Sequence, residues 1–129
     1  MEHFKTLKEV CKELKISRRA IQGYESKQLI KPTSKNKYGH LLYNEEIIKR
    51  IAFIRFSQDI GFSINDISSL IDSPIEDIKN SISTQAEVLL REKETIEQRL
   101  NQINRLNNLQ SRGEYLDEVL AIIKGGSEE

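Results

Sequence analysis

Apolar residues recur at helical spacing through the first half of the chain, interrupted by one stretch of different character. Leu7, Val10, Cys11 and Leu14 make one apolar face, and Thr6-Leu7-Lys8-Glu9 supplies the Thr-x-x-Glu box that starts such a helix. Lys15-Ile16-Ser17 breaks the pattern. Ser17 then caps a second helix, Arg18 to about Lys27, with Ala20, Ile21 and Tyr24 on its inward side. Two short helices across a tight turn predict a helix-turn-helix. From Leu29 to Tyr43 the helical period is lost: Pro32 forbids a continuous helix, and Thr33-Ser34-Lys35-Asn36 is turn chemistry. Gly39 followed by Leu41-Leu42-Tyr43 predicts a small β-hairpin with Lys31, Lys35 and Lys37 at or near its tip. Asn44 caps a third helix, striped by Ile47, Ile48, Ile51 and Ile54 and stopped by Gly61. Ser63 opens a fourth, Ile64 to about Ile71.

Beyond Ser73-Pro74, which reads as a cap followed by proline at the first helical position, no Pro or Gly occurs until Gly113. Ile82, Ala86, Leu89, Lys93, Ile96, Leu100, Ile103 and Asn107 alternate spacings of four and three, a heptad seam. One helix from 74 to 110 would be about 55 Å long. Its stripe cannot be covered by a head of this size, so it requires a partner. Lys93 and Asn107 are polar seam positions of the kind that fix register and orientation. Arg112-Gly113 is read as the break before a short helix, Tyr115 to Ile123, and the Gly-Gly-Ser-Glu-Glu end as a disordered tail. The expected architecture is all-α dominated. It comprises a winged helix-turn-helix head (1–72), a coiled-coil dimerisation helix (74–112) and a short terminal helix with its tail (113–129).

Composition sharpens this. The formal net charge is zero, but residues 1–58 hold 13 Lys and Arg against 6 Asp and Glu, whereas residues 59–129 hold 7 against 14. A basic half joined to an acidic half points to one module that faces nucleic acid. The single cysteine, Cys11, excludes an internal disulfide and any multi-cysteine metal site, and its helical spacing marks it as a small packing residue. His3 and His40 lack the neighbours a metal site needs, so no metal and no cofactor is expected. No apolar run reaches the roughly 18 residues that span a membrane, and no signal sequence opens the chain, so a cytoplasmic location is expected. No nucleophile stands at motif spacing from a base, and there is no phosphate-cradling loop, which argues against an enzyme.

The residues suited to DNA lie at the start of the second helix. Recognition helices present their N-terminal residues to base edges, and here these are Ser17, Arg18, Arg19 and Gln22. Arg pairs bidentately with guanine, Gln with adenine, and a serine at a helix start can hold phosphate. Two arginines in a first turn oppose the helix dipole, so helix stability does not explain them.

The ordered run Ile16-Ser17-Arg18-Arg19-Ala20-Ile21-Gln22-Gly23-Tyr24-Glu25, then Leu29-Ile30, then Tyr38-Gly39-His40-Leu41-Leu42-Tyr43-Asn44-Glu45-Glu46 resembles the mercury-resistance regulator (MerR) family of bacterial transcription factors. Phe53-Ile54-Arg55 and Gly61-Phe62-Ser63-Ile64-Asn65-Asp66-Ile67 extend the resemblance, which is close over residues 4–72 and architectural over 74–110. It implies a homodimer with antiparallel long helices that binds a palindromic site in double-stranded promoter DNA. It further implies bending and untwisting of that DNA, with RNA polymerase engaged only indirectly. The implied DNA-binding set adds Tyr24, Lys27, Lys35, Lys37, Tyr38, His40, Tyr43 and Arg55 to the four residues above.

Two departures stand out. Gln22-Gly23-Tyr24-Glu25 replaces the family's Arg-Tyr-Tyr-Glu, and Leu41 stands where a wing arginine is usual. Both imply altered or weaker site preference. The coil segment Gln85 to Lys93 resembles the drug-responsive branch, and no cysteines mark the coil's end as they do in the metal sensors. The effector is left open. An architectural or recombination-directing DNA binder and a coiled-coil adaptor remain as alternatives; the terminal helix and the Arg18-Arg19 pair weigh against each in turn.

Overall fold

The computed structural model describes residues 3–125. Two compact units divide the chain, one up to Ser81 and one from Ile82 on, with the boundary inside the long helix.

The first unit opens with a strand that the pattern does not announce: β1 (Phe4–Thr6) leads directly into α1 (Leu7–Leu14). Three residues are too few to display a period of two. Thr6 serves both elements. Its hydroxyl accepts from the Glu9 amide while the Glu9 carboxylate accepts from the Thr6 amide, so the expected capping box closes. Lys15 ends α1 in the left-handed region (φ 54°), and the Ile16 amide reaches back to the Cys11 carbonyl at 3.1 Å. The tight turn delivers Ser17 to the head of α2 (Arg18–Ser26), where its hydroxyl accepts from the Ala20 amide at 3.0 Å. A second left-handed residue, Gln28 (φ 62°), closes α2, with the Leu29 amide bonded to the Tyr24 carbonyl.

The expected hairpin is the larger part of a three-stranded antiparallel sheet, ordered β1-β3-β2. β2 is Ser34–Lys35 and β3 is Leu41–Asn44. Register sets Lys5 opposite Tyr43 and Lys35 opposite Leu41. The tip is the Asn36–His40 turn, so Lys31 lies before β2 and not at the tip. α3 (Glu45–Asp59) follows from the Asn44 cap, and Gly61 (φ 107°) turns the chain toward the Ser63–Asp66 capping box that starts α4 (Ile64–Leu70). Val10, Ile21, Tyr43, Ile51, Ile54 and Ile67 are the most deeply buried side chains of one continuous core. Cys11 packs partly buried against it.

The long helix α5 runs Ile75–Asn104, about 45 Å at 1.5 Å per residue. Ser73 does not cap it by side chain; its hydroxyl donates to the Ser69 carbonyl. Pro74 instead stands just before the first turn, its carbonyl accepting from the Asp77 and Ile78 amides. The helix also ends sooner than expected. Leu106, Asn107 and Leu109 amides make three-residue turn bonds in place of helical ones. Asn107 therefore lies past the end of α5 and is not a seam residue of that helix. Arg112-Gly113 does not break a helix but opens α6 (Arg112–Gly125). Ser111 explains this: its hydroxyl accepts from the Glu114 amide, while the Glu114 carboxylate accepts from the Gln110 and Ser111 amides. Arg105 is ion-paired with Glu118. The expected tail lies outside the described residues beyond Gly125.

Candidate nucleic-acid interface

One side of α2 belongs to the core and the other to solvent. Ile21 and Tyr24 are buried, while Ser17, Arg18, Arg19, Gln22 and Gly23 are exposed. Arg18 and Arg19 occupy the first turn, and Gln22 lies one turn later above both. No acidic residue occupies that turn, so the helix start keeps its positive end beside two guanidinium groups. An anion is favoured there on three counts: charge, donor geometry and the amides left free at a helix start.

The sheet presents a second basic element. At its tip Asn36 accepts from the Tyr38 amide at 2.9 Å and the His40 amide at 3.0 Å, while the Asn36 amide donates to the His40 carbonyl. Gly39 takes a positive φ of 83° that allows this closure. The result is a rigid turn that displays its side chains outward. Lys35, Lys37 and His40 are exposed, and Tyr38 is 71% exposed. The Lys37 ammonium lies 5.2 Å from the Tyr38 ring centre, and the His40 ring 6.4 Å from it. Cations beside an exposed aromatic ring suit a phosphate-and-sugar surface.

Two members of the expected set are corrected by burial. Tyr43 is fully buried, and its hydroxyl has no hydrogen-bond partner among the described residues. Burial, with the Glu25 carboxylate nearby, pushes its pKa up to about 12. Tyr24 is 3% exposed and donates its hydroxyl to Gln58 Oε1 at 2.6 Å, tying α2 to α3. Both side chains belong to the buried core. Lys27 is exposed at the end of α2. Arg55 is exposed on α3 and paired with Asp59 at 2.9 Å, four residues on. Leu41, at the position of the missing wing arginine, packs against the core.

Arg50 is a positioning residue that the apolar pattern does not single out. Its Nε donates to the Leu29 carbonyl at 2.6 Å, and its two terminal nitrogens grip Asp72 at 2.8 and 3.0 Å. One guanidinium thus joins the end of the α2 turn, α3 and the segment after α4. The bidentate pair holds the Asp72 carboxyl below its ordinary value of 3.8.

Comparisons agree with this geometry. A helix-turn-helix model of the family, "MerR HTH family regulatory protein", matches residues 5–74, and a second, "MerR, DNA binding", matches 48–111. The chain belongs to the MerR family of helix-turn-helix regulatory proteins. It is 27% identical over 99 residues to the HTH-type transcriptional activator mta of Bacillus subtilis, a match covering 77% of this chain but 38% of that activator. The crystal structure of MtaN, the N-terminus of the B. subtilis multidrug transporter activator, superposes with a TM-score of 0.70 at 26% identity, covering 81% of this chain and 99% of that one. A MerR-family transcriptional regulator from Bacillus cereus matches in fold with a TM-score of 0.74 at 22% identity, over 98% of this chain and all of the other. HiNmlR, a MerR-family regulator lacking the sensor domain and solved bound to promoter DNA, matches with a TM-score of 0.65 at 15% identity, over 93% and 96% of the two chains. The chain therefore spans under half of its full-length activator relative, yet nearly all of the two shorter regulators of the same fold.

Proposed function

We propose that this chain acts as a homodimeric, sequence-specific transcription regulator on a palindromic promoter site. In this reading α2 enters the major groove of each half-site. Arg18, Arg19 and Gln22 address base edges there, and Ser17 and the free amides at the helix start take phosphate. The wing residues Lys35, Lys37, Tyr38 and His40 add backbone contacts, with Lys27 and Arg55 at the margin. Activation by bending and untwisting the site, with polymerase engaged through the reshaped promoter, follows the family pattern. The effector's chemistry is left unassigned. Such a dimer acts on DNA in the cytoplasm, and none of the described helices is long and apolar enough to cross a membrane.

The observation that carries the reading is the pairing, within one unit, of an arginine-led helix start with a rigid basic and aromatic turn. Replacing Arg18 or Arg19 by Ala should weaken binding to a cognate site by about 1–3 kcal/mol each and relax base preference. Lys35→Ala or Lys37→Ala should weaken all duplexes alike and lower the slope of log K against log salt by about one. Binding isotherms of the purified variants at several salt concentrations separate the two effects. Unchanged affinity in the Arg18/Arg19 double variant would refute the assigned helix.

A further inference from the structure

The outward face of α2 is uneven. Ala20, Ile21 and Tyr24 turn to the core, which leaves Arg19, Gln22, Gly23 and Ser26, at spacings of three, one and three, as the row farthest from it. Long side chains stand at the start of that row and then stop. Gly23 has none, and Ser26 folds its hydroxyl back to donate to the Gln22 carbonyl at 3.1 Å. The later half of this exposed face is therefore bare backbone, where a helix ordinarily carries charged or long polar groups.

Nothing within the head accounts for the bare patch. Gly23 keeps the backbone of an ordinary helix residue and is not one of the glycines with a positive φ, so any side chain could stand there. A Cβ would meet nothing within 4 Å. Glycine weakens a helix interior, so the position gives up stability with no packing gain in return. The physical use left for a missing side chain is to let another surface come close to the backbone. Arg19 and Gln22, assigned above to base edges, stand on either side of that position along the row. Their reach depends on how near the helix comes to the duplex. A side chain at 23, four residues past Arg19 and next to Gln22, would act as a spacer on the same face.

We propose that Gly23 is a close-approach point for double-stranded DNA. The bare half of α2 lies against the wall of the major groove at backbone distance, and this seating brings Arg19 and Gln22 down to the base edges. The inference rests on the DNA-binding reading above and adds a positioning residue to it. It also gives the departure from the family pattern a meaning: with Gln22-Gly23 in place of Arg-Tyr, the helix trades bulk for a shorter separation.

The test compares the full chain with G23A and G23Y. Binding isotherms are measured on a duplex from the DNA flanking the chain's own gene and on a mixed-sequence duplex of equal length, with denaturant melts of the same proteins. G23A should be more stable than the wild type yet bind the own-gene duplex roughly tenfold more weakly, because a methyl group forced into a close contact holds the helix off. Its loss on the mixed-sequence duplex should be smaller, since phosphate contacts carry no sequence information and tolerate a small shift that base contacts do not. G23Y should bind the own-gene duplex more weakly still. G23A binding as tightly as the wild type, or losing equally on both duplexes, would overturn the positioning role. Tighter binding by G23Y would reveal an open gap at this position and overturn it as well. A wild type that binds neither duplex, or both alike, overturns the regulator reading itself and this inference with it.

Discussion

Tyr43 shows how a residue of polar type is recruited to the interior. Its ring is fully buried in the core, and its hydroxyl is buried without a partner. A buried hydroxyl with no bond loses its hydration and gains nothing in return. Tyr43→Phe should therefore leave stability unchanged or slightly raised in chemical denaturation. The same substitution should change the alkaline limb. The unfolded tyrosine ionises near 10 and the folded one at about 12, so stability is complete below 10 and lost as pH rises through that interval. The Phe variant lacks that loss. Asp72 behaves in the opposite sense. Its carboxyl is held down by Arg50, so the stability it contributes is present above 3.8 and disappears as pH falls below it. Asp72→Asn should flatten this part of the acid limb in a pH series of denaturant melts, and the effect will be small because Asp72 is exposed.

Among the elements, α2 is the one whose sequence works against its own stability. Two arginines load its positive end, and Gly23 sits in its interior, where a Cβ would meet nothing within 4 Å. Packing gives no reason for that glycine. Gly23→Ala should add about 0.5–1 kcal/mol to unfolding free energy, read from denaturant midpoints. Elements with strong local signals were legible in the sequence. The capping boxes at Thr6 and Ser63 and the cap at Asn44 fixed three helix starts to the residue. The Ser111–Glu114 box was equally visible, but the adjacent Gly113 suggested a break and masked it. β1 was invisible because it is three residues long and exists only through its pairing with β3. The seam's regular spacing, running to Asn107, carried the expected helix to about residue 110, past the Asn104 terminus, because heptad spacing persists into a turn that local hydrogen bonding has already made.

At the scale of the whole molecule, function was more legible than architecture at the margins. The outward placing of Arg18, Arg19 and Gln22, which we propose as the DNA face, was readable because the buried stripe of Ile21 and Tyr24 dictates which side remains outside. The supports behind that face were not. Tyr24–Gln58 spans 34 positions and Arg50–Asp72 spans 22, and no local pattern announces contacts at such separations. In the proposed reading a rigid core aims a helix start and a turn, and a second copy would double the contact with DNA. On that reading a single head would engage only one half-site, so affinity for a palindrome would depend on the joined pair.

Footprinting of the double-stranded DNA that flanks the chain's own gene, with the purified wild-type protein at low ionic strength, tests this account most directly. The expected result is protection of a palindrome lying between promoter elements, with the Arg18→Ala, Arg19→Ala double variant leaving it open to cleavage. Uniform cleavage with the wild type, or the same protection with both proteins, would contradict the central claim.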